Sequence, residues 1–153
     1  MNQKNAKTAT GLAIVVSLLA GCAAESPVDG EDVNLAGKIA CHLFDRSRLA
    51  DYGVREVTQQ ADEATLSRCV WQSRAAMGSV LLTLHLDYED GYAYESTRKR
   101  INGHIGGFPA DIVGTQIKLV TAEREGSALL NAQGTKVSAG VIAEELAKIL
   151  RRG

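Results

Sequence analysis

Three cysteines and three histidines carry most of the nucleophilic and metal-binding capacity of this 153-residue sequence. The cysteines are Cys22, Cys41 and Cys69, and the histidines are His42, His85 and His104. No two cysteines stand as C-x-x-C and no two histidines as H-x-x-x-H, so neither a dithiol redox pair nor a zinc knuckle is indicated. Cys41 and His42 are adjacent, but a nucleophile and its base must meet in space, and adjacency in sequence does not achieve that. There is no G-x-S-x-G elbow, P-loop or dinucleotide fingerprint. Four further residues could touch a ligand. Trp71 is the only tryptophan. His85 and Asp87 stand at i and i+2, on one face of a strand. His104 lies in the glycine-rich stretch 103–109. An enzyme of unfamiliar type would need His85, Asp87 and His104 to converge in a cleft. Without a recognisable constellation the chain reads as a non-enzyme, with no cofactor and no metal.

Cys22 is accounted for by what precedes it. Lys4 and Lys7 form a basic start with no acid to offset them, and residues 11–20 run without a charge. A basic n-region, a short apolar run and a small-residue exit mark a secretory signal. The run is too short to cross a hydrocarbon layer, which takes about 20 apolar residues. Leu19-Ala20-Gly21-Cys22 resembles the lipobox of bacterial lipoproteins in every position. The resemblance implies peptidase recognition through Leu19, Ala20 and Gly21, cleavage before Cys22, and a thioether-linked diacylglycerol on Cys22 with fatty-acyl (palmitate) chains. It also implies general export, with the protein held by lipid on the outer side of the cell membrane. Two or more acyl chains hold stably where one is marginal.

With Cys22 assigned to lipid, Cys41 and Cys69 remain in an exported chain. An even pair outside the cytosol is expected to be oxidised, and two cysteines allow one pairing.

Residues 1–21 then form the signal peptide, 22–32 a lipidated flexible tether and 33–153 a single domain. The tether composition is small, polar and acidic, with Pro27 and Gly30. Removing residues 1–21, which carry two lysines and no acid, takes the formal charge from −1 to −3. A mildly acidic domain has no electrostatic case for nucleic acid.

Asp32 or Asn34 can cap a helix through Leu35, Ile39 and Leu43, and Asp45 a second one over 46–52 that Gly53 ends. Residues 54–58 read as a short strand and 59–65 as a loop or helical turn. Residues 67–73 alternate, with Cys69 and Trp71 on one face; Trp71 beside a Cys41–Cys69 bridge would nucleate the core, or else stack on a ligand. Val80, Leu82, Leu84, Leu86 and Tyr88 make the clearest strand, antiparallel to the preceding one. Residues 92–101 suit an exposed helix and 103–109 a glycine loop. Strands follow over 116–122 and 127–133. Ser138 caps a closing helix with a stripe of Val141 or Ile142, Leu146, Ile149 and Leu150. Helices, then hairpin-linked strands, then a helix indicate an α+β, two-layer domain. Its mostly antiparallel sheet would carry the N-terminal and C-terminal helices on one face.

Cys41, Gly53, Cys69-x-Trp71, the 80–88 strand and the 142–150 helix together resemble small uncharacterised envelope lipoproteins of mycobacteria and other actinobacteria. The resemblance implies a cell-envelope location and little about activity. The function expected is a membrane-anchored, non-enzymatic binding or accessory module for a lipid, an envelope ligand or a protein partner. A surface structural or immunity-type protein is the alternative.

Overall fold

The computed structural model describes residues 33–76, 78–88, 99–121 and 126–152. Among the described residues seven strands form one antiparallel sheet: β1 (Glu56–Asp62), β2 (Leu66–Ala75), β3 (Gly78–Asp87), β4 (Gly103–Ile105), β5 (Phe108–Val113), β6 (Gln116–Val120) and β7 (Ser127–Gln133). Their spatial order is β1-β2-β3-β7-β6-β5-β4. Among the described residues two α-helices, α1 (Arg46–Tyr52) and α2 (Ala139–Arg151), accompany the sheet in an α+β arrangement.

The register explains the core. Cys69 pairs with Leu84 and Trp71 with Leu82, as the alternation in both runs requires. Leu84 pairs in turn with Leu130, Leu130 with Ile117, and Ala128 with Leu119. Period-two alternation therefore places one apolar row after another on a single face. Trp71, Leu82, Leu84, Leu86, Leu119 and Leu130 are all buried there. The buried stripe of α2, Ile142, Ala143, Leu146, Ala147 and Leu150, belongs to the same core cluster. Near the end of α2 the Arg151 guanidinium lies 5.6 Å from the Phe108 ring centroid. Trp71 meets Phe44 edge-on at 5.9 Å, and Phe44 meets Tyr52 edge-on at 5.5 Å, which anchors α1 to β2.

The Cys41–Cys69 disulfide is formed, with Cα atoms 5.0 Å apart. Asp45 caps α1 as its position suggested: its Oδ1 accepts from Arg48 N at 2.8 Å, and Gly53 closes the helix at φ 91°. Ser138 occupies the N-cap position of α2, but its side chain makes no capping bond.

Three expectations are corrected. The helix through Leu35, Ile39 and Leu43 is absent; a single 3₁₀ turn at Ala40–His42 stands in its place. Asn34 Oδ1 accepts from Ala36 N, Ile39 is extended, and Ala40 N donates to the buried Ser67 Oγ at 2.8 Å. The Ala40 N–H, which a helix would donate to Ala36 O, is thus taken by a side chain from β2. Residues 59–62 are strand, not loop, because β1 continues to Asp62 through a bulge between Val57 and Gln59. The 103–109 stretch is a hairpin rather than a loop: β4 and β5 are joined by Gly106 and Gly107 at φ 55° and 86°. Two central residues at positive φ suit a type I′ turn, which matches the twist of the paired strands. Most of the expected 92–101 helix, and the signal, lipobox and tether at 1–32, lie outside the described residues.

Candidate functional site

The sequence-predicted ligand contacts do not come together. Trp71 is wholly buried, its indole enclosed by the core, and its Nε1 has no hydrogen-bond partner among the described residues. It packs and presents no ring face to a ligand. His85 and Asp87 share the sheet face opposite the core, where His85 sits between Arg68 of β2 and Leu129 of β7. His85 Nε2 is shielded from solvent and has no hydrogen-bond partner among the described residues. His104 is exposed on β4, opposite Pro109. Between β3 and β4 lie β7, β6 and β5, so four strand spacings, about 19 Å, separate His85 from His104. The convergence that an enzyme reading of these residues demands is not met. Among the described residues no group of three or more His, Cys, Asp and Glu side chains could hold a metal ion.

A different set of residues is brought together. A cleft of about 430 Å³ lies where the 3₁₀ turn and the start of α1 meet the C-terminal half of α2. His42 and Leu43 enter from the turn, Asp45 and Arg48 from α1, and Glu145, Lys148, Ile149 and Arg152 from α2 and its cap.

Its acids are held from within. Arg48 Nη1 lies 2.8 Å from Glu145 Oε1, and the Tyr52 hydroxyl donates to Glu145 Oε2. Burial, then the bond to Glu145, pushes the Tyr52 phenol well above its usual range. Asp45 accepts from Ser47 Oγ and Arg48 N, and those bonds, Ser47 first, hold its carboxyl below the usual range. Glu145 is thereby engaged through both oxygens, and Asp45 through Oδ1 alone.

The cations Lys148 and Arg152 have no carboxylate partner among the described residues, and they sit near the C-terminal end of the α2 dipole. With His42 they rim half-buried Leu43 and Ile149. An apolar floor under a cationic rim can take a molecule with a hydrocarbon part and an anionic part.

Sequence reasoning missed this cleft because its two walls are a hundred residues apart. The amphipathic order of α2 and the Asp45 cap each pointed to one wall, and nothing local pointed to their meeting. No protein-family model matches the chain, and neither a curated protein nor a solved structure matches it.

Proposed function

We propose that the chain is an exported lipoprotein, anchored through acylated Cys22 outside the cell membrane. In this reading residues 22–32 tether a two-layer domain whose helices lie together on one sheet face, and the domain binds a ligand rather than transforming one. The ligand is an anionic amphiphile of the envelope, seated between α1 and α2. The observation that carries this reading is the cleft itself: Leu43 and Ile149 beneath His42, Lys148 and Arg152, with Glu145 already held by Arg48 and Tyr52. The Cys41–Cys69 bridge supports export, since such bridges persist in oxidising compartments.

The alternative of a structural or immunity-type surface protein calls for a flat apolar patch. The exposed large apolar side chains among the described residues are Val57, Val113 and Val141, on β1, β5 and α2 respectively, and they stand singly.

The anchor is tested by Cys22→Ala, which should abolish acyl labelling and release the protein from membranes; undiminished membrane retention would defeat it. The ligand is tested by native mass spectrometry of protein extracted from membranes. Wild type should carry an anionic lipid beyond its own acyl chains, and Lys148→Gln with Arg152→Gln should lose it. A wild type that carries none removes the proposed ligand class.

A further inference from the structure

A second cleft, of about 570 Å³, opens at the other end of α1, lined by Ala50, Gly53, Arg55, Glu56, Ser73, Arg74 and Lys136. Its three cations come from three separate parts of the chain: Arg55 from the link between α1 and β1, Arg74 from the end of β2, and Lys136 from the link between β7 and α2. Among the described residues none of the three is held by a carboxylate, and Glu56 is the only acid in the lining.

The main chain of two of these residues is fixed at the cleft by hydrogen bonds of their N–H groups. Arg55 N donates to Ser73 Oγ at 2.8 Å. Lys136 N donates to Tyr52 O at 3.0 Å. Gly53 matters twice. It takes φ 91°, which closes α1, and a Cβ placed there would stand 3.2 Å from Lys136 Cγ, so the Lys136 stem runs directly over it. The Ser73 hydroxyl, already an acceptor, still has its own hydrogen to donate.

We propose that this cleft is a phosphate-binding site, distinct from the α1–α2 cleft and independent of the lipid anchor. Three cations around one concavity raise the local positive potential on a chain whose net charge is negative, and a bound anion relieves their mutual repulsion. Two guanidinium forks, one ammonium and one hydroxyl match the tetrahedral oxygens of a phosphate better than the single plane of a carboxylate. The phosphate is either free, as inorganic phosphate or a soluble ester, or the headgroup of a lipid.

The test is titration of the Cys22→Ala chain, which lacks the acyl anchor, with inorganic phosphate, followed by amide shifts or calorimetry, beside flotation of the same chain carrying Lys148→Gln and Arg152→Gln with phosphatidylcholine vesicles containing or lacking phosphatidylglycerol. Each of Arg55→Gln, Arg74→Gln and Lys136→Gln should weaken binding by about tenfold, the worth of one charge-assisted bond. Glu56→Gln should tighten it. All four side chains are exposed, so an unchanged thermal midpoint verifies folding. Lys148→Gln with Arg152→Gln should leave the site intact. Binding of free phosphate identifies a soluble source; binding only to phosphatidylglycerol vesicles, lost in the same three variants, identifies a headgroup. Wild type that binds neither probe, or binding that the three variants leave unaltered, overturns the proposal.

Discussion

Reducing the Cys41–Cys69 bridge should lower stability by an amount set by the loop that it closes. The two cysteines are 28 residues apart. The loop-entropy relation gives about 12 cal/mol/K for such a loop, or about 3.6 kcal/mol at 25 °C. At roughly 2.1 cal/mol/K of unfolding entropy per residue over about 120 residues, that corresponds to a fall in Tm of about 14 °C. The bridge joins the 3₁₀ turn to β2, and that junction has a second tie, the bond from Ala40 N to Ser67 Oγ. Ser67 also donates to Asp62 Oδ1 at 2.5 Å, so one buried hydroxyl joins the lead-in, β1 and β2. The reduced protein should therefore still fold, with the turn in place and the loss confined to the unfolded-state entropy. The assay is thermal unfolding of wild type, oxidised against fully reduced and refolded, with Cys41→Ala/Cys69→Ala as a chemically fixed reduced form. Coincident transitions for the oxidised and reduced protein would refute the loop-entropy account. A reduced protein that fails to fold at all would refute the second tie.

Trp71→Ala should cost about 3–5 kcal/mol, since it empties a wholly buried site against Phe44, and Trp71→Phe much less, because the unpartnered Nε1 goes with it; denaturant midpoints separate the two. Tyr52 has a raised folded pKa, so above about pH 10 the unfolded chain loses its phenolic proton first; stability is intact below that pH and falls as pH rises beyond it. Tyr52→Phe should flatten this alkaline decline, and equal slopes for the two proteins in urea midpoints against pH would contradict it. Gly106→Ala should destabilise by about 1–3 kcal/mol, because its Cβ would stand 2.5 Å from Ala147 Cβ on α2 at a φ of 55°. Calorimetry of that variant should show a lower Tm than a Gly114→Ala control, whose Cβ meets nothing within 4 Å at a similar φ.

What was legible in the sequence follows from where each element lies in the sheet. β3 is central, with one face in the core and the other bearing Thr83, His85 and Asp87, so its alternation declared itself. β7 was readable to its ends for the same reason, and α1 because a capping Asp45 and a closing Gly53 bracket it. β1 is an edge strand, with Glu56, Thr58, Gln59 and Gln60 exposed, so no hydrophobic period marks it and its continuation past 58 looked like loop. A charged, polar, bulged edge also resists pairing with another chain. The pair Gly106–Gly107 looked like slack for a related reason: glycine reports that a side chain is not tolerated, without saying whether the cause is mobility or a close neighbour. Here the neighbours are Ala147 and Arg151.

Strand order and both clefts depend on distances that no local pattern encodes. β2 and β3 join through a short hairpin, and their pairing could be read from facing alternations. The arrival of β7 beside β3 could not, because β3 carries the same apolar row toward either neighbour and the hydrophobic period is satisfied whichever strand covers it. The charged side chains then follow the strand order. Arg74 and Lys136 meet because β7 lies next to β3 and sends the chain back past the end of α1, where Tyr52 O receives Lys136 N. The same return delivers α2 to α1 and places Glu145 between Arg48 and Tyr52. Both candidate binding sites are thus consequences of one topological step, the insertion of β7 at the free edge of the β1–β2–β3 meander. Residues that looked like ordinary solvated charge in sequence acquire partners, or a shared cleft, only through it.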